Sequence, residues 1–273
     1  MTAGTATLSE RERRAAVTPL RAVVDTLVIA ERDLIALVRI PSTLFFSSVQ
    51  PIMFVLLFRY VFGGAISVAI PGGYVNYLIP GIFVQAVVFG AVQTSIGLAE
   101  DLQKGLVERF RSLPMARSAV LAGRTVADLC RNVFVVILIT GVGYAVGFRV
   151  ETSFGYYLGA VALLLAFAYA FSWAFAVIGL SAPNSETAQV MSFPVLFPLT
   201  FASSAFVPVQ SMPGWLQGFA THQPVSQVVW AVRGLMVGGV SDVAGHTWAS
   251  IAWTAGIVLV FGPLAVHRYR TRT

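Results

Sequence analysis

The sequence predicts an all-α, polytopic membrane protein that crosses the bilayer with six transmembrane helices. Three observations support this fold class. The chain of 273 residues is 57% apolar and only 11% charged, whereas soluble domains are about 45–50% apolar and about 25% charged. Its apolar residues fall into runs of about 20, the length that a helix needs to cross the hydrocarbon layer of roughly 30 Å. Its basic residues collect in a few of the segments between those runs.

Six apolar runs are the candidate spans. No internal repeat or long linker divides them, so we interpret residues 40–270 as one transmembrane domain. The fifth run contains Pro194 and Pro198, and we expect a kinked helix there because neighbouring helices can satisfy the carbonyls that proline leaves free. The runs cover residues 43–62, 78–98, 126–148, 156–180, 187–207 and 247–267.

The distribution of Lys and Arg predicts the orientation of these spans. If the N-terminus is cytoplasmic, fifteen of the 18 basic residues fall in the N-terminal segment, the loop between spans two and three, and the C-terminus. Only Arg59, Arg149 and Arg233 then lie outside. Cytoplasmic loops are enriched in Lys and Arg, so we expect a multi-pass plasma-membrane protein with both termini in the cytoplasm. The net charge of +6 then reflects topology, and we expect no nucleic-acid partner.

Two cytoplasmic segments have the pattern of amphipathic helices. The first, residues 19–39, follows a disordered N-terminus over residues 1–18 and places Arg21, Asp25 and Arg32 on one helical face. This pattern predicts an interfacial helix that positions the first span. Contact with a cytoplasmic partner is the sharper interpretation of the same pattern.

The second amphipathic segment follows span two and ends at Pro114, which cannot donate a backbone hydrogen bond. Its acidic residues exceed what topology requires, since retention of a loop in the cytoplasm needs only Lys and Arg. Mixed charge of this kind suits a protein–protein contact, although a solvated connector has the same pattern. An apolar stripe runs along the segment through Leu98, Leu102, Leu106, Phe110 and Leu113.

Signals for chemistry inside this chain are few. The sequence has no GxxxxGK(S/T) phosphate loop and no His, Cys, Asp and Glu cluster with metal-ligand spacing, so we expect no cofactor or metal in it. Cys130 is the single cysteine, which excludes an intramolecular disulfide. The central portions of spans three to six contain no charged side chain, which argues against proton or sodium coupling.

Glutamines are the polar candidates along the spans. We predict a weakly polar pathway for a hydrophobic or amphipathic substrate, driven by energy from outside the membrane part. The candidate pathway residues are Gln50, Gln85, Gln93 and Gln189.

Two stretches carry a family resemblance. AEDLQKGLVERFRSLPMARSAVLAGR covers residues 99–124, and FVPVQSMPGWLQGFATHQPVSQVVWAVRGL covers residues 206–235. Both resemble signature segments of type-2 ABC exporter permeases, in particular the daunorubicin/doxorubicin-resistance branch of actinobacteria. They occur in the order that the family has, within a six-span topology, and the resemblance extends over residues 40–270.

The resemblance implies roles for both stretches. Residues 99–124 would form a cytoplasmic coupling helix against a separate ATPase subunit, which would bind ATP and Mg. The positions that match the coupling motif are Glu100, Asp101, Gly105, Glu108, Arg109, Leu113, Pro114, Arg117, Gly123 and Arg124. Residues 206–235 would form short re-entrant helices that act as an outer gate. The candidate gate residues are Pro213, Trp215, Phe219, Pro224, Trp230 and Arg233.

The function implied is that of a permease subunit, itself not an enzyme, in an ATP-driven exporter of lipid, glycolipid or drug. The implied partners are ABC ATPase subunits, a second permease copy that is identical or related, and membrane lipids. Three alternatives stay open: an exporter of polysaccharide or another polymer, a membrane-embedded enzyme, and a non-transporting membrane subunit.

Overall fold

The computed structural model describes residues 41–66, 73–105 and 117–271, and every regular element in these ranges is helical. The predicted tail over 1–18, the interfacial helix over 19–39 and residues 106–116 of the coupling segment lie outside the described residues. A π-helical segment, Leu57–Phe62, joins the first two helices. The helices are α1 (Pro41–Leu56), α2 (Gly63–Ile66), α3 (Tyr74–Gln103), α4 (Arg117–Ala145), α5 (Phe154–Ser181), α6 (Ser185–Phe201), α7 (Gly214–His222), α8 (Pro224–Met236) and α9 (Val243–Thr271).

Four of the described helices are long and apolar enough to cross a membrane. They correspond to predicted spans two, three, four and six, and they are α3, the Thr125–Ala145 part of α4, α5 and α9. Predicted span one corresponds to a shorter apolar helix, Ser48–Phe62, and predicted span five to α6, which has 17 residues. Pro194 and Pro198 lie inside α6, which is one continuous helix.

Helix α3 lies at the centre of the bundle and packs against α1, α4, α5, α6 and α8. In the most apolar 18-residue stretch of α3, 72% of the residues are buried. The corresponding fraction in α9 is 11%, so α9 lies at the periphery. Small residues permit this close packing. A side chain at Gly81 of α3 would collide with the backbone of Ala205, and one at Gly179 of α5 would collide with the backbone of Ser95.

Side-chain caps fix both ends of α6. Asn184 precedes the helix, and its Oδ1 accepts a hydrogen bond of 2.7 Å from the backbone N–H of Thr187. At the other end, Gln223 Nε2 donates to the Leu199 carbonyl at 2.9 Å, which satisfies a backbone acceptor that the helix leaves free. The helix therefore ends at Phe201, not at residue 207 as predicted.

Two short helices, α7 and α8, follow α6. Pro213 immediately precedes α7, and Pro224 begins α8, where a missing N–H costs nothing because the first turn has no acceptor for it. Helix α8 packs against α3, α5 and α9, and most of its residues are buried. We call this side of the bundle the α8 end. The opposite side, where α3 finishes at Gln103 and α4 begins at Arg117, is the α4 end.

Candidate functional site

Eight phenylalanine side chains form one connected group, the phenylalanine face, which spans α1, the π-helical segment, α3, α6 and the loop after α6. The ring of Phe58 stacks on that of Phe206 with centroids 4.4 Å apart, and Phe89 meets Phe197 edge-on at 6.3 Å. Aromatic pairs at such separations attract each other beyond the area that they bury. The members are Phe54, Phe58, Phe62, Phe89, Phe193, Phe197, Phe201 and Phe206.

The phenylalanine face is partly open. Phe62, Phe197 and Phe201 are 43%, 45% and 41% exposed. The same helical segments expose further large apolar side chains, which include Met53, Leu56, Leu57, Val190, Met191 and Val195. An apolar surface of this extent fits contact with hydrocarbon, with another membrane helix or with an apolar ligand.

The four glutamines predicted along the pathway occupy different environments. Gln93 on α3 and Gln189 on α6 are exposed, and each lies one helical turn from a member of the phenylalanine face. Gln50 on α1 is half-buried. Gln85 is only 2% exposed, and neither Nε2 nor Oε1 of its amide has a hydrogen-bond partner. The structure therefore places Gln93 and Gln189 on the exposed surface beside the phenylalanine face, and Gln85 in the core.

At the α8 end, Arg233 is held by the start of α3 and by the loop after α6. Its Nη2 donates to the carbonyls of Tyr77 at 3.0 Å and Ser204 at 2.9 Å. The guanidinium carbon lies 3.6 Å from the centroid of the Tyr77 ring. Only 6% of Arg233 is exposed, so its charge is stabilised by carbonyl dipoles and an aromatic face within the chain.

A second buried arginine lies nearer the α4 end, and the sequence interpretation missed it. Arg131 Nη2 lies 3.2 Å from Asp128 Oδ1 and donates to the Gly90 carbonyl at 2.8 Å. Thr94 Oγ1 donates to Asp128 Oδ2 at 2.5 Å. The sequence interpretation counted Arg131 among the loop charges, although the predicted span 126–148 begins before it; the residue lies inside α4 and is 6% exposed. We call these four residues, together with Ser172 of α5, the Asp128–Arg131 cluster.

The spacing of this pair is the signal that could have identified it. Residues three apart share one face of a helix, so opposite charges at that spacing can compensate each other even inside an apolar window. Asp128 and Arg131 both lie within Thr125–Ala145, the part of α4 that is long and apolar enough to span a membrane. Among the described residues, no three His, Cys, Asp or Glu side chains group closely enough to hold a metal ion.

Comparison of the sequence with family models decides the family. The model described as ABC-2 type transporter matches residues 25–237, which is more than half of the chain. The chain belongs to the ABC-2 type transporter family. Its all-helical fold, with four helices of membrane-spanning length in the described part, agrees with that membership.

Individual ABC-2 relatives are similar over nearly the whole length. The chain is 37% identical over 267 residues to a daunorubicin resistance ABC transporter permease of Streptomyces coeruleorubidus, which covers 97% of this chain and 92% of the relative. It is 28% identical over 252 residues to a probable doxorubicin resistance ABC transporter permease of Mycobacterium tuberculosis, covering 92% and 90%. The resemblance seen in the two signature stretches is thereby confirmed, and the relatives are permease subunits.

The ten positions that the sequence predicts to contact an ATPase are described in part. Glu100 and Lys104 form an exposed salt bridge of 3.2 Å on the last turn of α3, where Asp101 also lies. Gly105 follows with φ of 64°, a left-handed conformation that favours glycine. Three further positions lie in the first turns of α4, namely Arg117, Gly123 and Arg124. The remaining four fall outside the described residues, and they are Glu108, Arg109, Leu113 and Pro114.

The positions that the sequence predicts for an outer gate lie at the α8 end. Trp215 on α7 is 82% exposed and Phe219 is 45% exposed, so α7 presents an aromatic surface of the kind found at membrane–water interfaces. Trp230 on α8 is half-buried, with its ring centroid 4.8 Å from that of His246. Exposed aromatic side chains thus lie on α7, whereas α8 mainly packs into the bundle.

Proposed function

We propose that this chain is the membrane subunit of an ATP-driven exporter that moves hydrophobic or amphipathic molecules, such as drugs or lipids, out of the cell. The phenylalanine face carries this proposal, because it exposes three phenyl rings and because the exposed residues Gln93 and Gln189 each lie one helical turn from one of its members. A binding surface of this composition offers broad apolar contact and a few polar groups that fix orientation. A sugar polymer would need many hydrogen-bonding groups beside the aromatic rings, and the phenylalanine face is mainly apolar, so an amphipathic substrate fits better.

The protein has six spans if two shorter elements cross the membrane beside the four long helices. These elements are α1 together with its π-helical segment, and α6. Residues 41–66 are continuously helical, and at about 1.5 Å per residue this is enough for a hydrocarbon layer of roughly 30 Å. Helix α6 is about 25 Å long by the same rise, and the buried residues 203–206 after it complete the crossing. Helices α7 and α8 would then be re-entrant from the outer side.

The charges of the described residues favour a cytoplasmic α4 end. Lys104, Arg117 and Arg268 lie at that end, whereas Arg149 and Arg233 lie toward the α8 end. Cytoplasmic segments are enriched in Lys and Arg. Both termini of the chain would therefore face the cytoplasm of a cell whose plasma membrane holds the permease.

A separate ATPase subunit, which binds ATP and Mg, would dock at the α4 end on residues 99–124. The exposed pair of Glu100 and Lys104 offers both signs of charge to such a partner, and mixed charge favours specific docking. The segment joins α3 directly to α4 in the chain. A push on it would consequently reach the central helix of the bundle, and residues 19–39 would provide a second contact.

A second permease copy, identical or related, would cover the phenylalanine face. In a single chain the exposed amides of Gln93 and Gln189 would face lipid hydrocarbon, where an unsatisfied polar group costs several kcal/mol. Pairing of two such faces would place these amides and the exposed rings in a shared, enclosed pathway. The lipid-facing surface would then be supplied by peripheral helices such as α9.

The test of this function compares Phe197→Ala with Phe154→Ala, a matched control on α5 that is 73% exposed and lies outside the phenylalanine face. Each permease is reconstituted into vesicles with the ATPase that co-purifies with it, and ATP-dependent uptake of daunorubicin is measured. We expect uptake to fall about fivefold in Phe197→Ala, because loss of one aromatic contact costs about 1 kcal/mol. The control should stay within about twofold of the wild type.

Two outcomes would contradict the proposal at different levels. Equal uptake by the two variants would remove the phenylalanine face from the pathway. A wild-type complex that takes up no hydrophobic probe in response to ATP would refute the exporter function itself.

A further inference from the structure

The Asp128–Arg131 cluster joins three helices close to the coupling segment. Helix α4 contributes Asp128 and Arg131, α3 contributes Thr94 and the carbonyl of Gly90, and α5 contributes Ser172, whose Oγ lies 3.4 Å from Thr94 Oγ1. The ion pair lies about three turns from the start of α4. It therefore occupies the helix that directly continues residues 99–124.

A movement of α4 would preserve some contacts of the cluster and break others. The ion pair joins two residues of α4 itself, so rotation or sliding of that helix leaves it intact. The hydrogen bonds from Thr94 to Asp128 and from Arg131 to the Gly90 carbonyl run between α4 and α3, so the same movement would break them. Ser172 lies beside Thr94 as a second partner for its hydroxyl group.

Placing both charges on one helix lowers the cost of such a movement. A salt bridge between two helices leaves two uncompensated buried charges when the helices separate, which is strongly unfavourable. Here the charges stay compensated, and a shift of α4 breaks two charge-assisted hydrogen bonds, which costs less than separating two buried charges. Gly90 keeps the resting position well defined, since a Cβ there would lie 2.9 Å from Asn132 Oδ1 and would hold α4 away from α3.

We propose that the Asp128–Arg131 cluster is the positioning joint that passes movement of residues 99–124 to α3 and α5. This inference rests on the proposed function, in which an ATPase docks on those residues. In the resting arrangement, Thr94 and Gly90 hold α4 against α3. When the docked segment is displaced, α4 shifts with its ion pair intact, and the Thr94 hydroxyl exchanges Asp128 for Ser172.

The experiment compares Thr94→Val with Thr140→Val. Thr140 also lies on α4 but toward the α8 end, where its Oγ1 is 2.9 Å from Tyr157 Oη, so its replacement removes a comparable contact to α5 outside the cluster. The reconstituted permease–ATPase complex is assayed for daunorubicin transported per ATP hydrolysed and for its unfolding temperature. We expect both variants to lower the unfolding temperature and only Thr94→Val to lower transport per ATP, by at least about fivefold. Thr94→Ser should restore it.

A second variant removes the exchange partner alone. Ser172→Ala keeps the bond between Thr94 and Asp128 and removes a 3.4 Å contact with Thr94 and a bond to the Ala168 carbonyl on its own helix. It should therefore lower the unfolding temperature less than Thr94→Val does and still lower transport per ATP about threefold. Movement can be followed with a fluorophore on Cys130, the single cysteine of the chain, which is exposed on α4. A nucleotide-dependent signal is expected in the wild type and in Thr140→Val, and a weaker one in Thr94→Val.

Unchanged transport per ATP in Thr94→Val, or an equal loss in Thr140→Val, would overturn the joint and leave the cluster as a structural brace. Wild-type behaviour of Ser172→Ala in both assays would overturn the exchange step. A wild-type complex that hydrolyses ATP but transports no probe would instead refute the proposed function, so the two failures are distinguishable.

Discussion

Two buried arginines tie other helices to α3, and they are held in opposite ways. Arg131 donates to the carbonyl of Gly90 and forms an ion pair with Asp128 on its own helix. Arg233 donates to the carbonyl of Tyr77 and lies over the ring of the same residue, with carbonyl and ring in place of a carboxylate. Both arginines are 6% exposed, so burial alone does not explain the difference.

Position along α3 explains it. Tyr77 lies three residues from the first residue of α3, whereas Gly90 lies near the middle of the helix. A positive charge near the end of a span can be stabilised by carbonyl dipoles and a ring, but one deeper in the apolar bundle needs a counter-charge. We infer that Arg233 makes a static joint at the α8 end, while the self-compensated pair leaves α4 free to shift.

The largest effect is expected where one partner of the ion pair is removed. Asp128→Ala leaves Arg131 buried and charged without a counter-ion, which should cost about 3–5 kcal/mol of unfolding free energy. The double variant Asp128→Ala/Arg131→Met removes the charge and refills its space, so it should recover most of that loss. Unfolding of the purified permease in detergent measures both.

A double variant as unstable as Asp128→Ala would show that the charge of Arg131 is not what the carboxylate compensates. The distinction between the two arginine sites would then fail. Recovery of stability in the double variant would sharpen the distinction between the two sites. At the α8 end Arg233 is held by carbonyl groups, so no second substitution there could compensate its loss in the same way.

The next largest effect is expected at the static joint. Arg233→Met leaves the carbonyls of Tyr77 and Ser204 without their donor and removes the contact with the ring, at a cost of about 2–4 kcal/mol. Arg233→Lys keeps the charge but cannot donate to both carbonyls from a planar group, so we expect about half of that loss. The unfolding temperature in detergent is the readout for both variants.

Wild-type stability of Arg233→Lys would mean that a point charge suffices at the α8 end. Wild-type stability of Arg233→Met would contradict the static joint itself. Either result would mean that the two arginine sites differ less in how they are stabilised than their geometry indicates.

The length of apolar runs predicted the long helices because a span is defined mainly by length and lack of charge. Predicted spans 156–180 and 247–267 correspond to α5, Phe154–Ser181, and α9, Val243–Thr271. The fifth predicted span runs to residue 207, whereas α6 itself ends at Phe201, because Gln223, which follows α7, caps that helix. A contact of this kind leaves no trace in local periodicity.

The candidate site was harder to predict because it depends on which face of each helix is covered. Gln85 and Gln93 look equivalent in sequence, but only the second is exposed. The phenylalanine face requires Phe206, from the loop after α6, to stack on Phe58 of the π-helical segment. Arg131 was missed because it was counted with the basic residues of the loop before span three, and its pairing with Asp128 was not considered.

The smallest effects test how tightly each arginine site is packed. A Cβ at Gly90 would lie 2.9 Å from Asn132 Oδ1, and one at Gly234, beside Arg233, would collide with the side chain of Val243. Alanine should cost about 1 kcal/mol at Gly90, where it would press on side chains of α4, and about 1.5 kcal/mol at Gly234, where the β-branched neighbour is stiff. The unfolding temperature again gives the order.

Gly141→Ala is the matched control for that series, because it lies on α4 and a Cβ there meets nothing within 4 Å. It should stabilise the chain by about 0.5–1 kcal/mol, the usual gain of alanine over glycine in a helix. If Gly90→Ala raised stability as Gly141→Ala does, α4 would not be closely seated on α3. The hydrogen bond from Arg131 to the Gly90 carbonyl could not then position α4. If only Gly234→Ala lowered the stability, the static joint at the α8 end would still hold.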